Sequence, residues 1–186
     1  MFTATAICTA LVSQLTTNCE CFNKSGSSFS DVPAHFNGAS ASPWIASANV
    51  FSFGPPSKNL EVKTNDKCIF AKNSFDQWTL VYLVEQNYKD ILKIIANINM
   101  NDEILASDYS YGQVYFEISG ENKDEFLNKL TQFDLRDKKF PDFSMAQTLI
   151  ARIDCYIYKL NEKYIITCNK SYEDYFKKRL IDLINL

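Results

Sequence analysis

A chain of 186 residues can bury a core, as one domain or two small subdomains, without disulfide support. Its formal net charge of −3 lacks the basic footprint of a nucleic-acid binder, and without a run of about 18 apolar residues no membrane-crossing helix is expected. The single histidine, His35, lies in a Pro/Ser/Asn-rich stretch, which leaves the rest of the chain without Ser-His or Cys-His nucleophile pairs.

Residues 1–59 differ from the remainder of the chain. They are rich in Ser, Ala and Thr and almost uncharged: Glu20, Lys24, Asp31 and the boundary residue Lys58 are their only ionised side chains. No Lys or Arg precedes the mildly apolar start, so a signal peptide is not expected. Gly54-Pro55-Pro56-Ser57 is a break. The stretch reads as an extension without autonomous structure, because so polar and aperiodic a composition buries too little to offset ordering entropy. A mobile tail, an arm laid on a partner and an upstream piece outside the mature chain all fit.

From Leu60 the chain becomes charged and periodic. Residues 60–64 and 67–72 read as short strands, and 77–84 as a stronger one. Tyr88, Ile91, Leu92, Ile95 and Ile98 fall on one helical face, which predicts a helix over 88–98. Residues 104–110 are extended and turn at Tyr111-Gly112. Residues 113–119 alternate, with Val114, Phe116 and Ile118 inward and Tyr115 outward, as in a half-solvated antiparallel strand. Residues 122–130 predict a short helix. A polar loop runs from Asp134 through Phe140-Pro141, and 145–160 then reads as one long strand. It pairs with 163–168 around Asn161-Glu162. Ser171 is expected to cap the last helix. The predicted fold class is α+β with mainly antiparallel sheets and packed helices, in two ferredoxin-like halves over about 60–103 and 104–186.

No phosphate loop, dinucleotide fingerprint or zinc signature occurs, and five glycines leave little material for backbone cradles. Of Cys8, Cys19, Cys21, Cys68, Cys155 and Cys168, the last three sit in apolar strand patterns and read as reduced, buried thiols, which points to a cytoplasmic protein. Asp108 and Ser110 read as turn chemistry. Asp134 and Asp137 flank Arg136 and suggest a loop pinned by ion pairs. Gln147, Thr148 and Arg152 are polar residues in an apolar run, expected to bond within the fold or at an interface.

A longer pattern adds to this. Ile118-Ser119-Gly120, Phe126-Leu127, Asp134-Leu135, Phe140-Pro141, Ala146-Gln147-Thr148, Ala151, an apolar strand to Tyr158 and Ser171 occur in that order and spacing. This pattern resembles the gamma subunit of heterotetrameric sarcosine oxidase. It is clear over 105–186, looser over 75–104 and absent from 1–59. Arg136-Asp137 stands where that family often has His-Pro, so the loop frame is kept without those side chains. The family is in turn similar to the first domain of the folate-binding aminomethyltransferases of glycine cleavage, whose acidic hairpin is represented here by Asp154 alone.

The resemblance implies a non-catalytic subunit of a flavin-dependent complex that demethylates sarcosine oxidatively to glycine. It implies alpha, beta and delta subunits as partners, with FAD, FMN, NAD, tetrahydrofolate and zinc carried by those other subunits. No catalytic, cofactor or metal residue is assigned to this chain. Asp134, Arg136, Phe140, Pro141, Gln147 and Thr148 are the candidate partner-interface residues. A related N-methyl amino acid dehydrogenase subunit and a stand-alone folate-binding or aminomethyl-transfer protein are the alternatives.

Overall fold

The computed structural model describes residues 3–7, 12–17, 56–65, 68–83, 88–100 and 104–184. Among the described residues, ten strands form two five-stranded sheets, every pairing antiparallel. Sheet I contains β1 (Thr3–Ile7), β7 (Gln113–Ser119), β10 (Lys163–Asn169), β9 (Ile153–Leu160) and β8 (Ser144–Ile150), in that spatial order. Sheet II contains β3 (Val62–Thr64), β4 (Cys68–Lys72), β5 (Gln77–Tyr82), β2 (Val12–Thr17) and β6 (Ile104–Asp108). The α-helices among the described residues are α1 (Tyr88–Ile98), α2 (Lys123–Asn128) and α3 (Glu173–Ile184).

Strand alternation explains the layering. On β7, β9 and β10, one face presents Val114, Phe116, Cys155, Ile157, Tyr164 and Ile166 to Leu127 of α2 and to Phe176 and Leu180 of α3. Phe116 and Phe176 meet with ring centroids 4.8 Å apart. The other face carries Tyr115, Tyr158 and Ile165, which meet Val62, Ile69 and Val81 of sheet II. The far face of sheet II packs Phe70 and Leu80 against Ile94, Ile95 and Ile98 of α1. The result is four layers, helix–sheet–sheet–helix, with a core on each side of both sheets. Each large apolar side chain so buried contributes roughly 1.5–3 kcal/mol of transfer free energy.

This layering corrects several expectations. Tyr115 does not face water: it is buried against sheet II, because both faces of β7 are covered. The sheets do not divide near residue 103, since β6 completes sheet II beside β2. Sheet I also departs from the ferredoxin-like pattern: β9 and β10 are joined by a hairpin where that pattern has a helix, so β10 lies between β7 and β9. The long strand expected over 145–160 is two strands, folded back at Ala151-Arg152. Both of those residues take left-handed φ values, 52° and 68°, as a type I′ hairpin requires. Ala-Arg is a poor advertisement for such a turn, which Asn-Gly normally signals. Ser171 does not cap α3. The Asn169 side chain instead accepts the Ser171 N–H at 3.0 Å and caps a short 3-10 turn that precedes the helix.

Within 1–59, β1 pairs with β7 and β2 lies between β5 and β6. Strands were not expected in this stretch. Each is completed only by partners far along the chain. His35, Cys8 and the Cys19-Glu20-Cys21 run lie outside the described residues.

Candidate functional site

The loop between α2 and β8, residues 129–143, is anchored at short intervals. Thr131 donates its hydroxyl to the Leu149 carbonyl at 2.7 Å and accepts the Phe133 N–H. Asp134 and Arg136 close a forked pair, with Nε on Oδ1 at 2.8 Å and a second guanidinium nitrogen on Oδ2 at 2.5 Å. The Arg136 side chain and backbone N–H together hold the Asp134 carboxyl down at about 2. The Arg136 carbonyl then accepts the N–H groups of Lys139 and Phe140, both at 2.8 Å, forming one tight turn.

Beneath this turn lies Lys159. Its side chain is only 4% exposed, although it comes from the largely apolar strand β9. The ammonium donates to the Asp137 carboxylate at 2.5 Å and to the Leu135 carbonyl at 3.2 Å. It also sits 6.0 Å from the Phe140 ring centre and 5.8 Å from that of Tyr164, within cation–π range. The hydrogen bond from Lys159, together with its charge, holds the Asp137 carboxyl below the usual range. Tyr164 donates its hydroxyl to Asp124 at 2.6 Å, which ties α2 to the same sheet face.

After the loop, the chain enters β8, an edge strand of sheet I. The hairpin closes at Ile150 and Ile153, so even-numbered β8 residues direct their backbone groups to β9 and odd-numbered ones direct theirs outward. The Met145 N–H donates to the Leu60 carbonyl at 2.9 Å, and Thr131 takes the Leu149 carbonyl. Between these tethers, Gln147 presents its N–H and C=O outward without a partner among the described residues. Its side chain is exposed, as is that of Leu149, at 55%.

The expected interface residues therefore separate. Asp134, Arg136, Pro141 and Gln147 are surface groups or nearly so, and Thr148 is half-buried. Phe140 is not a surface residue. It is 2% exposed, packed edge-on to Phe133 at 5.1 Å and parallel to Tyr164 at 6.5 Å. A carboxylate there would be a buried charge, so Phe140→Asp should destabilise the fold itself. Arg152 is not in a strand but at the hairpin tip. Asp108 makes the expected turn, accepting both the N–H and the hydroxyl of Ser110. Asp154 is exposed on β9. Lys159 and Leu149 were missed. A lone lysine in Ile153–Leu160 was the available signal for the first, and nothing short of knowing that β8 is an edge revealed the second. No group of three His, Cys, Asp or Glu positioned for a metal occurs among the described residues.

A family model described as the sarcosine oxidase gamma subunit family matches residues 60–184. The chain belongs to the sarcosine oxidase gamma subunit family. Among solved structures, it is similar to a chain of the heterotetrameric sarcosine oxidase from Corynebacterium sp. U-96 in complex with pyrrole 2-carboxylate. The TM-score is 0.74 at 16% identity, covering 99% of this chain and 84% of that one. At that identity the likeness is one of fold. No curated protein matches. The gamma-family match spans the anchored loop and β8 together with α1, α2 and α3.

Proposed function

We propose that this chain is a non-catalytic structural subunit of a heterotetrameric, flavin-dependent sarcosine oxidase, and that it docks on the larger subunits through the 134–143 loop and the β8 edge. The observation that carries the reading is the gamma-family match over 60–184. The loop supports it, because a surface tied down by Asp134–Arg136, Lys159–Asp137 and the buried Phe140 loses little entropy on docking. The outward backbone of Gln147 is suited to receive an extended partner segment as an added strand, with Leu149 as an apolar contact beside it. Alpha, beta and delta subunits are the partners in this reading. The flavins, NAD, tetrahydrofolate and zinc belong to them, and the assembly works in the cytoplasm.

Co-expression with the candidate subunits tests the proposal by size exclusion and by sarcosine-dependent peroxide formation with and without this chain. Stoichiometric co-elution, with activity or assembly lost in its absence, is the expected result. Leu149→Lys should weaken co-elution while leaving the free chain folded. If the chain runs alone and the remaining subunits work unaided, the subunit reading falls. Tetrahydrofolate binding by the free chain, abolished by Asp154→Asn, would then favour the folate-binding alternative.

A further inference from the structure

At the opposite end of β8 from the Leu60 tether, the β8–β9 hairpin tip, the end of α2 and one face of α3 enclose an open cleft of about 450 Å³. Its lining consists of Lys129, Leu130, Ala151, Arg152, Tyr175 and Arg179. Three of these six side chains are cationic and none is acidic.

The walls are fixed. The Ala151 N–H donates to the Leu130 carbonyl at 2.8 Å, and the Tyr175 hydroxyl reaches the Ala151 carbonyl at 3.4 Å. The cations are poorly neutralised. Lys129 and Arg179 have only long contacts within their own helical segments, to Glu125 at 3.8 Å and Asp182 at 3.9 Å, all on exposed side chains where such pairs contribute little. Arg152 makes no ion pair among the described residues. It is held at φ 68° beside Ala151 at 52°, a backbone conformation that disfavours both residues and is tolerated where the surroundings impose it. Three like charges line one concavity, an arrangement whose mutual repulsion a counter-charge would relieve.

We propose that this cleft binds a small multivalent anion, one bearing phosphate or clustered carboxylates. Arg152 and Arg179 act as forked donors and Lys129 as a point charge. Guanidinium forks match phosphate and carboxylate oxygens in pairs, and the volume lies within the roughly 300–1,000 Å³ typical of small-molecule sites. The inference does not depend on the subunit reading, since it rests on this chain's own cleft.

The test is calorimetric titration of the full chain with pyrophosphate and, separately, with citrate, at constant ionic strength. Saturable binding of at least one probe is expected, and the tighter one identifies the ligand chemistry. Arg152→Gly and Arg179→Ala should each weaken it at least tenfold, while Lys93→Ala, at an exposed lysine on α1, should leave it unchanged. Arg152→Gly suits the left-handed turn, so its thermal midpoint should hold or rise, which separates loss of the site from loss of the fold. The titration is repeated on the assembled complex, where binding should persist. The proposal is overturned by absence of saturation, by wild-type binding in Arg152→Gly, or by an equal loss in Lys93→Ala. Binding by the free chain that vanishes in the complex also overturns it, because carboxylates of a partner subunit would then fill the cleft.

Discussion

Phe140→Ala tests whether the anchored loop belongs to the cooperative core. The ring is almost completely buried, with Phe133 edge-on at 5.1 Å, Tyr164 parallel at 6.5 Å and the Lys159 ammonium at 6.0 Å. Removing a buried Phe side chain costs about 3–5 kcal/mol in transfer and cavity terms. The middle of that range applies here, because the neighbouring turn is held by backbone bonds from Lys139 and Phe140 to the Arg136 carbonyl and cannot collapse freely into the void. A loss of about 4 kcal/mol should lower the thermal midpoint by roughly 10 °C for a chain of this size. Urea unfolding followed by far-UV circular dichroism measures the loss directly. A change under about 1 kcal/mol refutes the reasoning. So does an unchanged midpoint accompanied by new tryptic cleavage at Lys138 or Lys139, because the loop would then open without the core.

The hairpin tip should be improvable: Arg152→Gly, the residue that the second position of a type I′ turn prefers, should raise stability by about 1 kcal/mol in the same urea assay, whereas the buried Ala151 has no room for a larger polar side chain. The Asp134 carboxyl should titrate near pH 2 by carbon-detected NMR, and Arg136→Ala should return it toward its ordinary value of about 3.9. Its folded value is depressed, so whatever the pair contributes is present above pH of about 4 and lost as pH falls through about 2. Cys68, Cys155 and Cys168 should resist a disulfide reagent at pH 8 and react only on denaturation. Burial pushes Cys68 up to about 11, while Cys155 is raised by its hydrogen bond with Cys168 and then by burial. Peptide mapping of labelled cysteines checks this, and labelling of Cys155 in the folded chain would contradict it.

The span of α1 was legible, because Ile and Leu at helical spacing are a local signal that tertiary context only has to accept, but Leu92 of the expected face is exposed and Ile94 packs with Ile95 and Ile98 instead. The antiparallel α+β class followed from the order of strands and helices along the chain, and the buried cysteines from their apolar surroundings. The hairpin at Ala151-Arg152 was not legible. Its left-handed turn is imposed by packing against Leu130 and α3, not by residues that prefer it. Phe140 was legible as part of a motif but not as a core residue, since a Phe-Pro pair in a polar loop looks the same whether the ring turns in or out.

By itself, the sequence determined the span of α1, most of the strands after residue 60 and the family pattern, because each is written in neighbouring residues or in fixed spacing. Only the tertiary structure decided which strands became neighbours and which faces met water. Thr3–Ile7 and Val12–Thr17 became strands by pairing with β7 in one sheet and with β5 and β6 in the other. Tyr115 was buried because a second sheet covers the face that alternation alone left to solvent, and β8 became an edge because the β9–β10 hairpin occupies its other side. Pairing and burial are properties of contacts between residues far apart in the chain, and local propensity carries no record of them.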